Sequence, residues 1–188
     1  MAIMSGSLGQ RRCDICGRMF RPKQAHHRTC FECAQGKQQA GPANGELQQR
    51  FADYLKHILE QGYFDPKGNL RPVLRVEDAE LVAQVLAKAE VTGGQLRRFF
   101  TMARALEQRL ENSADFAVIA PDIARLQPLV AAIIGRTPSE PQRFKLGVLK
   151  DFIDTNARKA RESERAFRKG FLPHFEGVIA YFTYLKPK

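Results

Sequence analysis

Four cysteines constrain the fold of this chain more than any other feature. They all lie between Cys13 and Cys33, in the spacing C-x2-C-x13-C-x2-C. Two explanations compete, a disulfide framework and a metal site. The first residues contain no apolar run of secretory length, so we expect no export to an oxidising compartment. In a reducing compartment the spacing is typical of zinc, because two Cys-x-x-Cys turns together supply the four thiolates of a tetrahedron.

The spacing predicts a single Zn²⁺ with four thiolate ligands, which are Cys13, Cys16, Cys30 and Cys33. His26 and His27 lie between the two pairs and could replace a thiolate, but four cysteines already saturate the ion. A saturated site has no open position for water or substrate, so we expect a structural zinc. A redox role would require one Cys-x-x-Cys beside a βαβ pattern, which the sequence lacks.

The cysteine segment is predicted to be a separate module. Binding energies of about 10–16 kcal/mol for such sites exceed what a core of about 30 residues supplies, so this module should be unfolded without metal. The segment from Ala34 to Gly45 is rich in Gly, Gln and Ala and predicts a flexible linker. We therefore expect a zinc knuckle with its linker in residues 1–44 and a helical bundle in residues 45–188.

The balance of charge points to a polyanionic partner. The 188 residues carry a formal net charge of +10, and their hydrophobic fraction of 44% predicts a globular domain rather than a disordered chain. Nucleic acid is the first partner to consider for such a protein, although many basic proteins bind none.

Beyond the linker the apolar residues recur at helical spacing almost throughout, which predicts an all-α domain of about five to six helices. Helices are expected over 46–61, 76–89 and 92–112, the last with Thr92 and Gln95 in capping-box relation. The apolar segment 116–135 contains Pro121 and Pro128, which predict a kinked or divided helix. Because it lacks a polar face, we expect this segment to be buried.

Two further helical segments complete the predicted bundle. An apolar stripe that starts at Phe144 and reaches Phe167 predicts one long helix or two in line, until Gly170 and Pro173 interrupt it. The final segment, 171–185, is apolar on most sides and is expected to close the core.

The sequence offers little for catalysis. The adjacent glycines of "TGGQLRRF" lack the Walker lysine and hydroxyl residue and any preceding strand. His57, His174 and Glu176 have no nucleophile or paired acid visibly associated with them. We therefore predict a protein that is not an enzyme.

Basic side chains are the candidate binding residues. One group lies on the third helix and around the "TPSEP" loop, and another lies in "ARKARESERAFRKG". The candidates are Arg97, Arg98, Arg136, Arg143, Lys145, Lys150, Arg158 and Lys159. The alternative explanation is a solvated helix face with ion pairs, such as Arg158 with Glu162 at i,i+4.

Three segments carry a resemblance to a known family. "YFDPKGNLRPVLRVEDAELVAQVLAKAEVTGGQLRRFF", "IARLQPLVAAIIGR" and "FEGVIAYFTYL" occur in this order and together span most of residues 46–186. They resemble the small subunit of type III-A (Csm-type) CRISPR effector complexes. The family's closing segment usually has a His after its Ala-Tyr, where this chain has Phe182. The four-cysteine module lies outside the resemblance.

The resemblance implies a helical, non-catalytic subunit of a cytoplasmic prokaryotic ribonucleoprotein. Such a subunit stacks in several copies beside repeat-type backbone subunits and the large subunit, with no membrane involved. It would contact guide RNA and target RNA through phosphates, while base pairing supplies sequence specificity. The zinc module would be a basic docking element for RNA or a neighbouring subunit.

Two other functions stay open at this point. A zinc-ribbon transcription regulator that binds DNA as a dimer would need a recognition helix for the major groove, and no convincing helix-turn-helix is visible. An RNA-processing enzyme would require a metal or an acid and base pair that the sequence does not show.

Overall fold

The computed structural model describes residues 10–12, 19–22, 28, 42–112 and 115–186. The chain divides into two units, Met1–Gln49 and Arg50–Lys188. The four predicted zinc ligands lie outside the described residues, as do His26, His27 and most of the predicted linker. The zinc module and the domain boundary near residue 44 therefore stay predictions.

The first unit contains a short β-hairpin. Strands β1 (Arg11–Arg12) and β2 (Met19–Phe20) are antiparallel, with Arg11 opposite Phe20 and Arg12 opposite Met19. The two strands flank residues 13–18, which include the first Cys-x-x-Cys pair.

Helix α1 (Pro42–Gln61) begins inside the segment predicted as linker and crosses the boundary between the units. The linker prediction was therefore too long at its C-terminal end. Proline is favoured at the first helical position because its φ is already helical and its missing N–H has no partner there.

The second unit is helical. Its elements are a 3₁₀ turn (Pro72–Leu74), α2 (Glu77–Lys88), α3 (Gly93–Glu111), α4 (Phe116–Ala124), α5 (Leu126–Gly135), α6 (Glu140–Ala160), a π-helical turn (Ala166–Phe171) and α7 (Leu172–Leu185). Within residues 50–112 and 115–186 only an isolated bridge between Phe64 and Leu70 has β character, so the all-α prediction is confirmed for this unit.

The predicted start of α3 is confirmed in atomic detail. The Thr92 hydroxyl accepts a hydrogen bond from the Gln95 N–H at 3.1 Å, and the Gln95 side chain accepts one from the Thr92 N–H at 2.9 Å. This capping box satisfies two of the backbone donors that a helix start leaves without partners.

The apolar segment 116–135 is divided, as predicted, and the break falls at Arg125. Pro128 explains its position, because proline cannot donate to the carbonyl four residues earlier, which is that of Ala124. Pro121 lies inside α4. The carbonyl that it frees belongs to exposed Ala117, where water can satisfy it.

The predicted burial of this segment was wrong. Only Ile119, Ile123, Leu126 and Val130 are buried, and Val118 is 59% exposed. A mostly apolar segment can thus still present one face to solvent, so the missing polar face did not indicate burial. Among the described residues, Phe116–Gly135 is long and apolar enough to cross a membrane by length and composition alone, which is weak support for a membrane role.

The buried apolar stripe of helix α6 is narrower than the sequence predicts. Leu146, Leu149, Phe152 and Ile153 are buried, whereas Phe144 is 88% exposed in the first turns of the helix. Helix α6 ends at Ala160, so the predicted stripe to Phe167 spans two elements.

The most extensive contact between helices in this unit joins α2 and α7. A side chain at Gly177 would begin 3.1 Å from the Arg75 carbonyl and 3.2 Å from the Ala79 methyl group. This approach lets α7 bury Phe175, whose ring lies 5.2 Å from that of Phe152 and 5.4 Å from that of Phe171. The final segment thus closes the core, as predicted.

The interruption expected at Gly170 and Pro173 is a π-helical turn that leads directly into α7. The Leu172 N–H bonds to the Phe167 carbonyl, five residues earlier, in the wider ladder of a π-helix. Gly170 is required here because any side chain would overlap the ring of Tyr63. That close approach packs the segment after α1 against the π turn.

A chain of buried side-chain hydrogen bonds crosses the interior of this unit. The Tyr63 hydroxyl donates to the Asn156 side-chain oxygen at 3.0 Å, and the Asn156 amide donates to the Tyr54 oxygen at 2.9 Å. Tyr54 lies 2.7 Å from Nε2 of His174, whose Nδ1 lies 2.5 Å from the carbonyl of Leu74. Since a carbonyl only accepts, Nδ1 carries the proton and Nε2 accepts from Tyr54.

Burial shifts the pKa of two members of this chain. Desolvation lowers the pKa of His174 to about 4, although the bond to the Leu74 carbonyl acts in the opposite direction. Desolvation also raises the pKa of Tyr54 well above its ordinary value. At neutral pH both groups are uncharged, as a fully satisfied buried network requires.

We predict that His174 makes the protein sensitive to acid. Its pKa is lower in the folded than in the unfolded chain, so its contribution is complete above about pH 6.5 and is lost as the pH falls through 4. The loss should be about 3 kcal/mol in free energy of unfolding between pH 7 and pH 4. Chemical denaturation across this range should show a flatter pH dependence for His174→Gln. The exposed His57→Gln is the matched control, and equal slopes for wild type and His174→Gln would contradict the prediction.

Candidate nucleic-acid interface

Arg97 and Arg98 lie in the second turn of α3, on its exposed side. Their neighbours Leu96 and Phe99 are buried, so helical periodicity directs the two arginines outwards. Neither has an acidic partner within 4.0 Å among the described residues. These two charges are therefore available to a polyanion.

Arg136 and Arg143 flank the loop between α5 and α6. Arg136 caps the end of α5, and Arg143 lies in the first turn of α6, where its N–H bonds to the Ser139 carbonyl at 2.9 Å. Both side chains are exposed, and within the described part of the chain neither forms an ion pair.

Lys145 connects the starts of α3 and α6. Its ammonium group lies 2.9 Å from the carboxylate of Glu90, which precedes Thr92 by two residues and adopts φ of 62°. The pKa of Glu90 is lowered, mainly by this hydrogen bond. Lys145 is thus partly neutralised, and its contact brings the N-terminal ends of two helices, where backbone N–H groups favour anions, into proximity.

Lys150 and Lys159 have structural partners. Lys150 bonds to Asp154 one turn later, and this bond raises the pKa of Lys150. Lys159 pairs with Glu162 at 2.9 Å, and only 20% of its side chain is exposed. Its amine also lies 3.4 Å from the Leu59 carbonyl. Both lysines therefore stabilise the fold locally and are weaker candidates for a ligand.

The ion pair that the sequence suggested between Arg158 and Glu162 is not formed. Glu162 pairs with Lys159 instead, because Lys159 reaches it at i,i+3 while bound against the end of α1. Arg158 is exposed and, in the part of the chain that the structure describes, makes no ion pair. Lys150 and Lys159 thus take part in ion pairs on the helix face, as the alternative explanation expects, whereas Arg158 does not.

The structure also brings together basic residues that the sequence analysis did not connect. A cleft of about 480 Å³ lies between the segment 64–70, α3, the π turn and the start of α7. Its basic lining residues are Arg75, Arg104, Arg165, Arg168 and Lys169, and its acidic ones are Glu107 and Glu176. Three of these cations belong to the basic run before Gly170. Arg75 and Arg104 come from other elements, so only the folded chain shows the cluster.

Nothing in the described residues assembles a catalytic centre. No group of three or more His, Cys, Asp or Glu residues with metal-binding geometry occurs among them. His174 is held neutral in the core by Tyr54 and Leu74, away from solvent. Its role is to satisfy a buried network, which assigns it to stability rather than to proton transfer.

Comparison with known proteins identifies the family. No curated protein and no solved structure matches the chain. The sequence model of one family, described as Csm2 Type III-A, matches residues 71–188 and so covers everything from the end of the segment after α1 to the C-terminus. The chain therefore belongs to the Csm2 Type III-A family and is a small subunit of a type III-A CRISPR effector complex.

Proposed function

We propose that this protein is a non-catalytic, RNA-binding subunit that stacks in several copies along its effector complex. It contacts the backbones of guide RNA and target RNA, next to repeat-type backbone subunits and the large subunit in the prokaryotic cytoplasm. Five exposed arginines without ion pairs among the described residues carry this proposal; they are Arg97, Arg98, Arg136, Arg143 and Arg158. Guanidinium groups bind phosphate oxygens in bidentate fashion.

Backbone binding suits a surface of this composition. Arginines at helix starts and in loops meet phosphates without reading bases, so sequence specificity is left to pairing between guide and target. The described residues contain no group of three or more His, Cys, Asp or Glu that could hold a metal ion for cleaving RNA. A zinc-ribbon regulator of transcription is less well supported, because the matched family covers the helical unit and not the cysteine segment.

We also propose that the cysteine segment binds one structural Zn²⁺ through Cys13, Cys16, Cys30 and Cys33. The hairpin of β1 and β2 supports this site, because it pairs the residue before Cys13 with a residue three positions after Cys16. Bound zinc would supply fold stability and no chemistry.

RNA binding should depend on the exposed arginines. The triple variant Arg97→Glu, Arg98→Glu, Arg136→Glu should bind single-stranded RNA more weakly and reduce the salt slope of log K by about 2, since each phosphate contact contributes about 0.7. Fluorescence anisotropy with a labelled RNA across a salt series measures both quantities.

The matched control changes the net charge equally at Arg50, Lys56 and Lys88, which are exposed elsewhere. Equal weakening by both triple variants would show that overall charge, not this surface, governs binding. Full binding by the arginine variant, combined with loss on deletion of residues 1–44, would place the RNA on the cysteine module.

Zinc content should follow the four cysteines. Metal analysis of protein purified without added zinc should give about one zinc per chain, and Cys30→Ser should lose it, because three thiolates leave the tetrahedron incomplete. His26→Ala and His27→Ala are the controls and should keep the metal. A Cys30→Ser protein with full zinc content would exclude the four-thiolate site. The far-ultraviolet circular dichroism of the helical unit should survive chelation.

A further inference from the structure

The cleft between the segment 64–70 and the π turn has an excess of positive charge that ion pairs within the fold do not neutralise. Arg104 pairs with Glu107 at 2.5 Å, and Arg168 pairs with Glu164 and Glu111 at 3.0 and 3.3 Å. These three acids and two arginines make up the neutralised part of the cleft and its surroundings.

Of the three lining cations without an ion pair among the described residues, Arg165 contacts Phe64 and Gly68, which leaves Arg75 and Lys169. Both are exposed, both line the cleft, and neither forms an ion pair within residues 42–112 and 115–186. Of the two carboxylates that line the cleft, Glu107 pairs with Arg104, and Glu176 forms no ion pair within the described residues. A concave surface with low-dielectric walls focuses such an excess of charge on whatever enters it.

The wall of the cleft is fixed before any ligand arrives. The Arg165 guanidinium lies 4.7 Å from the centre of the Phe64 ring and donates to the Gly68 carbonyl. Gly68 adopts φ of +84°, and the Asp65 carboxylate accepts from the Asn69 N–H at 2.8 Å to close the turn. Side chains held in this way lose little entropy on binding, which favours affinity.

The π turn forms the opposite wall. Its wider ladder continues directly into α7, and the contact of Gly170 with Tyr63 fixes its distance from the segment 64–70. Lys169 precedes this contact point by one residue and therefore lies at the junction of the two walls. π-Helical turns are rare and often occur at functional sites.

We propose that this cleft binds the phosphate group of a nucleotide unit, with Arg75 and Lys169 as its direct ligands and Arg165 as a positioning residue. The cleft volume of about 480 Å³ is large enough for a nucleotide, and an isolated phosphate would fill only part of it. The phosphate can come from an RNA backbone or from a free nucleotide. Only the first case rests on the proposed RNA-binding function.

The test uses the full chain with inorganic pyrophosphate as probe in isothermal titration calorimetry. The double variant Arg75→Glu, Lys169→Glu should weaken pyrophosphate binding by roughly tenfold or more, since two charge-assisted contacts are lost. Lys88→Glu is the control, because it lies at the far end of α2, about 17 Å along the helix from its start at Glu77. Equal affinities for the double variant and wild type would overturn the proposal.

A gain of affinity gives a second readout that misfolding cannot imitate. Glu176→Gln removes the unpaired carboxylate from the cleft and should tighten pyrophosphate binding severalfold. Glu140→Gln makes the same change at the start of α6, about 28 Å along the helix from Lys159, and should have no such effect. If the two variants behaved alike, the anion would not be bound in the cleft.

Labelled single-stranded RNA separates the two sources of phosphate. Weaker RNA binding by the Arg75 and Lys169 variant, beyond that of Lys88→Glu, would assign the cleft to the RNA backbone. Loss of pyrophosphate binding alone would assign it to free nucleotides. Both results support the proposal that the cleft binds phosphate. Neither depends on the Arg97, Arg98 and Arg136 variant, and full RNA binding by that variant would contradict only the proposed function.

Discussion

The hydrogen-bonded chain from Tyr63 through Asn156, Tyr54 and His174 to the Leu74 carbonyl holds the helical unit together. It joins α1, the segment after it, α6, α7 and the 3₁₀ turn, elements far apart in sequence. A buried donor or acceptor left without its partner costs about 1–3 kcal/mol, so each member favours the single arrangement that satisfies all. The apolar core alone would tolerate more ways of packing these helices.

The cleft and the basic surface of the helical unit depend on this buried network. Tyr63 takes part in the network and also packs on Gly170, so the same residue fixes the π turn and the segment 64–70. That contact forms the basic cleft. The capping box of α3 and the Glu90–Lys145 pair set the helix starts that carry Arg97 and Arg143. The buried network is neutral, and the five arginines without ion pairs among the described residues lie on the surface, as the proposed RNA-binding function requires.

Structural features that depend only on neighbouring residues were predicted correctly from the sequence. Thr92 and Gln95 predicted a helix start because a capping box involves only neighbouring residues, and Pro128 predicted a break because its effect reaches only four residues back. The family resemblance was confirmed over residues 71–188.

Features that depend on tertiary contacts were not predictable in the same way. The network partners of His174 could not be predicted, since Tyr54 and Leu74 lie 120 and 100 residues away. The burial of 116–135 was overestimated, because hydropathy does not tell whether a neighbouring helix covers a given face. Arg75 and Arg104 gave no signal at all, as a cleft between elements has no local pattern.

We propose that this chain supports RNA capture by a type III-A effector complex without doing chemistry itself. The most direct measurement assembles the complex with wild type, with the Arg97, Arg98 and Arg136 variant, or without the chain, and measures filter binding of a target RNA complementary to the guide. We expect weaker target capture in the last two assemblies, with unchanged cleavage per bound target. An assembly that forms and captures target equally well without this subunit would contradict the account.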